Sequence, residues 1–120
     1  MSNFTNKMTL DEYQALAVLT AQYPDKDKSI MYSTLKLAGE SGEFAEKVGK
    51  YYRNFEAREI KDYTPEQKIE LIKELGDVQW YIADLALRLG FTLGDVAKIN
   101  LEKLKDRQIR NVIKSEGDNR

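Results

Sequence analysis

Two pairs of carboxylates carry the first chemical signal in this 120-residue sequence: Glu40 with Glu43, and Glu74 with Asp77. On a helix, residues three apart bring their Cβ atoms to about 5–6 Å. One such pair is ordinary solvated surface. Two pairs on adjacent helices, facing each other, would put four negative charges in one pocket. Carboxylates that close raise one another's pKa and repel unless a cation sits between them. The chain has no His and no Cys, so imidazole and thiolate ligands, cysteine nucleophiles and disulfides are excluded. Any metal must sit on oxygen, which suits Mg²⁺ or Mn²⁺. Mg²⁺ keeps few carboxylates and completes its shell with water and substrate phosphates, as phosphoryl-transfer sites require. Lys103 and Arg107 then fit as phosphate clamps.

The elements that must position these groups are all helical. Thr9 to Glu12 forms a capping box for a first helix that runs to about Tyr23, before Pro24. Residues 24–29 read as a charged loop. A second helix covers roughly Tyr32 to Phe55, and Glu56 to Tyr63 is a connector. Thr64-Pro65-Glu66-Gln67 is a second capping box with Pro at the first helical position. The third helix runs to Leu89, and Gly90 supplies its left-handed cap. Thr92 with Asp95 opens a fourth helix that continues to about Ile113, so a domain over 1–113 is followed by a polar tail over 114–120. No strand alternation, internal repeat or low-complexity stretch occurs, and the fold class is all-α with four helices.

Apolar stripes define the expected core faces. They are Leu37, Ser41, Phe44, Val48, Tyr51 and Phe55 on the second helix, and Leu71, Leu75, Val78, Ile82, Leu85 and Leu89 on the third. Ala97, Leu101 and Leu104 form the stripe on the fourth. Burying each large side chain stabilises by about 1.5–3 kcal/mol. One residue back from each stripe lie Lys36, Glu40, Glu43, Lys47 and Lys50, then Glu70, Glu74, Asp77, Tyr81, Asp84 and Arg88, then Val96, Asn100, Lys103 and Arg107. Charged groups therefore flank the core rather than oppose it. Gly39, Gly42, Gly49 and Gly76 fall inside helices, where each costs about 1 kcal/mol relative to Ala. Either a close helix approach or room for a ligand offsets that cost.

Lys plus Arg is 19 and Asp plus Glu is 20, for a net charge of −1. That balance excludes a generic nucleic-acid binder. No apolar run is long enough to span a bilayer and the first ten residues lack a signal-peptide core, so the expected location is the cytoplasm.

Three segments carry a family resemblance: Gly39-Glu40-Ser41-Gly42-Glu43-Phe44-Ala45-Glu46, Glu74-Leu75-Gly76-Asp77-Val78-Gln79-Trp80-Tyr81, and Asn100 through Arg107. Together they resemble the MazG-like all-α nucleoside triphosphate pyrophosphohydrolases. The similarity extends to Asp11-Glu12-Tyr13-Gln14 and to Gly117-Asp118-Asn119-Arg120. It implies a four-helix bundle completed by subunit association, as a homodimer or homotetramer. It also implies hydrolysis of a (deoxy)nucleoside triphosphate to monophosphate and pyrophosphate, with metal-bound water attacking the α-phosphorus. Mg²⁺ would be held by Glu40, Glu43, Glu74 and Asp77, with Glu43 also orienting or deprotonating the water. Lys103 and Arg107 would hold the β- and γ-phosphates, and Tyr81 and Asn100 would face the sugar or base. Trp80 would stack on the base or serve as a core or interface aromatic. Lys47 and Lys50 extend the acidic stripe and could reach phosphates, and Lys47 is also an i,i+4 partner for Glu43. Gly39 stands where many relatives carry an acid, and the 30 residues between Glu43 and Glu74 make a long separation for the family.

The activity expected is nucleotide-pool house-cleaning. The alternatives are a dedicated dCTP or dUTP pyrophosphatase, a phosphoribosyl-ATP pyrophosphohydrolase, or, from another class, an inert helical interaction module. The last would tolerate loss of Glu40 or Asp77 and gain no stability from Mg²⁺.

Overall fold

The computed structural model describes residues 7–113, with side chains described as far as residue 111. The polar tail and the Gly117–Arg120 segment named above lie outside the described residues. Four α-helices form: α1 (Leu10–Ala17), α2 (Met31–Phe55), α3 (Pro65–Arg88) and α4 (Leu93–Ile113). There is no strand among the described residues. Short 3₁₀ turns follow α1 at Val18–Thr20 and precede α3 at Ile60–Asp62.

Three of the four described helix starts, those of α1, α3 and α4, follow from their caps. Thr9 and Thr64 each accept the backbone N–H three residues on, while Glu12 and Gln67 reach back to the Thr9 and Thr64 amides. Thr92 and Asp95 do the same at the start of α4. Gly90 adopts φ +89°, and the Phe91 N–H closes onto the Ala86 carbonyl at 2.8 Å. That left-handed step is the one glycine tolerates at a helix end. Glu56 takes the same role after α2 at φ 54°, where the Ala57 N–H bonds the Tyr51 carbonyl.

The end of α1 differs from expectation. The helix stops at Ala17, six residues short of Tyr23, and tightens into the 3₁₀ turn. The cause is tertiary. The Ala17 carbonyl accepts the Trp80 indole N–H at 3.1 Å and the Thr20 hydroxyl at 2.7 Å, and Thr20 Oγ1 accepts the same indole at 2.9 Å. A capping interaction from α3 therefore ends α1, not Pro24.

Helices α2 and α3 make the principal packed pair, and α1 lies against α3. Helix α4 packs on α1 and α3, and not on α2. Its N-terminus is held by α1: Asp11 accepts the Gly94 N–H at 2.8 Å and Gln14 accepts the Leu93 N–H at 3.1 Å. These bonds neutralise helix-start amides that would otherwise lack partners.

The expected core stripes are only partly buried. Leu37, Phe44, Val48, Leu71, Val78 and Leu85 are half-buried between helices. Leu75, Ile82, Leu89, Phe55, Leu101 and Leu104 are exposed, Leu101 and Phe55 by 66%. Full burial falls instead on Ala17, Ala21, Ala57, Ala83, Ala86 and Leu93. One face of each long helix meets a neighbour within the chain, while the rest of the apolar arc has none. The helical glycines follow the same pattern. A Cβ built on Gly39, Gly42, Gly49 or Gly76 meets nothing within 4 Å, so close helix approach within the chain does not account for them.

Candidate active site

Helices α2 and α3 bring three carboxylates together. Ligand oxygens of Glu40, Glu74 and Asp77 all lie within 4.8 Å of one another. The Glu74–Asp77 pair follows from helical spacing, and the Glu40 contribution from the packing of α2 on α3. The Glu40 and Glu74 side chains are only 13% and 14% exposed. Glu43 is exposed and is not one of the three, although its charge acts on Glu40. Burial first, and then the charges of Glu43 and Asp77, raise the Glu40 carboxyl above the ordinary carboxylate range.

Cations offset this charge incompletely. Lys36 stands 3.9 Å from Glu40, and Lys47 bridges Glu70 at 3.1 Å and Glu74 at 3.6 Å. Asp77 has no ion pair among the described residues. The second Glu74 oxygen, Oε1, is shielded from solvent and has no hydrogen-bond partner. A buried carboxylate oxygen without a partner is costly unless something fills the space before it. Three converging carboxylates with one oxygen orphaned fit a hard divalent cation. The donor set excludes soft metals, since every donor is oxygen.

A cavity of about 600 Å³ opens beside these carboxylates. It is lined by Glu40 and Asp77, by the aromatic residues Tyr23, Tyr32, Trp80 and Tyr81, and by Thr20, Gln22 and Pro24 from the segment after α1. The aromatic rings are packed together. Tyr23 stacks on Tyr32 with centroids 4.6 Å apart, and Trp80 meets Tyr81 edge-on at 4.8 Å. The Tyr81 phenol is pushed up to about 12 by burial first, then by Tyr32, Glu40 and Asp77. Tyr13 is raised by burial and by Asp77. Both phenols stay protonated beside a negative site.

The back of the aromatic wall is held by a buried polar network. Asp84 is fully buried and accepts hydrogen bonds from the Tyr23 hydroxyl and, at 2.6 Å, from Ser33. Its other oxygen takes Arg88 at 2.9 and 3.2 Å, and Arg88 also pairs with Asp27 at 3.1 Å. The acidic stripe on α3 thus divides into two. Its first half reaches the cavity, and its second half locks the loop to α3.

Of the residues expected at the site, Glu40, Glu74 and Asp77 converge, and Tyr81 and Trp80 line the cavity. Lys50 is exposed farther along α2 and does not line it. Asn100 and Lys103 line apolar grooves beside α4, away from the carboxylates. Arg107 is half-buried on α4, with its Nε shielded and without a hydrogen-bond partner. None of these three lines the cavity, and no ion pair among the described residues joins Lys103 or Arg107 to the three carboxylates. Tyr23, Tyr32 and Gln22 were missed by sequence reasoning. Tyr32 had a signal, because it lies four residues before Lys36 and eight before Glu40 on the same helical face. The loop residues had none.

The model of the MazG nucleotide pyrophosphohydrolase domain matches residues 29–111. The chain is 43% identical over 120 residues to the Gene 37 protein of Mycobacterium phage L5, covering 94% of this chain and all of that one. It is also 43% identical over 72 residues to the uncharacterized protein YvdC of Bacillus subtilis (strain 168), covering 59% of this chain and 68% of that one. No solved structure matches. No helix among the described residues is long and apolar enough to cross a membrane.

Proposed function

The chain belongs to the MazG nucleotide pyrophosphohydrolase family, and from that premise we propose that it hydrolyses a (deoxy)nucleoside triphosphate between the α- and β-phosphorus, consuming water and releasing monophosphate and pyrophosphate. The observation that carries this reading is the convergence of Glu40, Glu74 and Asp77 within 4.8 Å, with Glu40 and Asp77 also lining the aromatic cavity. Glu40, Glu74 and Asp77 would hold Mg²⁺ (or Mn²⁺), with the orphaned Glu74 Oε1 as one donor. When bound, the ion neutralises phosphate charge and acidifies water.

The chain's own groups do the rest. Lys47, held by Glu70, fixes one Glu74 oxygen and leaves the other free. Glu43, near enough to act on Glu40, is the base that orients or accepts a proton from the attacking water. The aromatic wall excludes water from one flank of the substrate. Asn100, Lys103 and Arg107 act on the sugar and phosphates from α4 of a second copy. Supporting that arrangement are the exposed apolar side chains of α2, α3 and α4, which a homodimer or homotetramer would cover.

Pyrophosphate release from a panel of canonical-base and modified (d)NTPs, with Mg²⁺ and with EDTA, tests the reading. Metal-dependent release from one or a few nucleotides is the expected result. No release from any, with the helical fold intact, leaves the inert interaction module.

A further inference from the structure

Besides its carboxylates the cavity is lined by uncharged residues, and several of their polar atoms are already spent. The Trp80 indole N–H is committed to Ala17 and Thr20, and the Thr20 hydroxyl donates to Ala17. The Tyr23 hydroxyl is committed to Asp84. What remains towards the cavity, besides the Tyr32 and Tyr81 phenols, is aromatic surface and the Gln22 amide. Gln22 is exposed, lines the cavity, and makes no hydrogen bond among the described residues. An unspent amide beside packed rings matches a planar heteroaromatic ligand that stacks and offers a donor–acceptor edge. Inorganic polyphosphates and sugar phosphates have no aromatic plane to stack.

Placement sharpens the point. Thr20, Gln22, Tyr23 and Pro24 all precede residue 29, where the match to the family begins. The segment is nevertheless built firmly. Trp80 anchors its start, and the Tyr23–Asp84–Arg88–Asp27 chain anchors its end to α3. Gln22 lies between these two anchors, so its backbone is positioned while its side chain stays unengaged.

We propose that the Val18–Pro24 segment is the base-reading element of this protein: the nucleobase stacks against the aromatic wall, and the Gln22 amide hydrogen-bonds its edge and ranks the bases. The inference rests on the nucleotide reading above and adds the residue that discriminates among nucleotides. The Gln22 amide offers a donor beside an acceptor, so it favours the base edge that presents the complementary pair at the position its anchored backbone sets. A carboxylate in its place only accepts. Gln22→Glu should therefore favour guanine, whose N1–H and N2 amino donors lie side by side, over the other bases, whose donors stand next to acceptors.

Trp80 is the one tryptophan of the chain, so its fluorescence reports stacking in the cavity directly. The experiment titrates wild type, Gln22→Ala and Gln22→Glu with the α,β-imido analogues of dATP, dCTP, dGTP, dTTP and dUTP in Mg²⁺. Wild type is expected to show quenching and a ranking of the bases. Gln22→Ala should weaken the best analogue by about tenfold and flatten the ranking. Gln22→Glu should reorder it towards dGTP. An exposed side chain leaves the fold intact, which circular dichroism checks. If wild type binds and both variants keep its affinities within about twofold and its order, the inference is overturned while the nucleotide reading stands. If wild type binds no analogue, the nucleotide reading fails and this inference with it.

Discussion

Helix α3 carries aspartate twice on one face, at residues 77 and 84, in opposite conditions. Asp84 is fully buried and saturated by Arg88, Tyr23 and Ser33. Asp77 is exposed, has no ion pair among the described residues, and sits with two more carboxylates. Residue type and register are the same, and the facing elements differ. The loop and the start of α2 offer the Tyr23 and Ser33 hydroxyls to Asp84, and Arg88 of its own helix adds a cation, whereas the middle of α2 offers Glu40 to Asp77. A carboxylate supplied with every partner is scaffold. One surrounded by its own kind stores a demand for a cation.

The largest expected effect breaks the scaffold end. Asp84→Ala leaves half-buried Arg88 with the exposed Asp27 alone, takes the acceptor from Ser33 and Tyr23, and should cost about 3–5 kcal/mol in urea unfolding. A loss under about 1 kcal/mol, the range of exposed pairs, would erase the contrast between the two aspartates. Asp77→Asn should do the reverse. Turnover falls by at least about a hundredfold, since even outer-shell changes at metal sites cost 10–100-fold. Metal-free stability holds or rises, because one repulsive charge is gone. Parallel pyrophosphate and unfolding assays measure both.

Mg²⁺ sharpens the same comparison. At about a hundred times its Kd, bound ion should stabilise wild type by about 2.7 kcal/mol. A thermal shift series should show that gain, and Glu74→Gln and Asp77→Asn should lose it. The smallest effect is the pH dependence of the metal-free protein. The Glu40 carboxyl is raised in the folded state, mainly by burial, so the native state holds its proton to higher pH than the unfolded chain. Its favourable contribution is present below the unfolded value near 4.5 and lost as pH rises through the folded one. Glu40→Gln should flatten that slope. Saturating Mg²⁺ should invert it, since the ion needs the ionised carboxylate.

Much of the architecture was legible residue by residue. Thr9, Thr64 and Thr92 open helices where their reciprocal partners Glu12, Gln67 and Asp95 announce them, and Gly90 closes α3 in the left-handed region. The carboxylates of the site were legible because two short motifs sat on helices long enough to pack side by side. The end of α1 was not, because Trp80, 63 residues from Ala17, sets it. Nor was the split of the α3 stripe, since Asp84 differs from Asp77 only in what meets it. Gln22 and Tyr23 belong to a loop without a period, so no spacing argument could place them at the cavity.

The sequence by itself determined the helices, their capped starts, and which acids share a helical face. Those depend on separations of three or four residues, which backbone geometry converts directly into distance. Tertiary structure alone decided that Glu40 meets Glu74 and Asp77 while Glu43 stays outside the group. It also decided that Asp84 is consumed by Arg88, and that no ion pair among the described residues joins Lys103 or Arg107 to the carboxylates of their own chain. The physical reason is that the meeting of two elements depends on packing over the whole chain, and the charge state and exposure of each acid follow from that meeting.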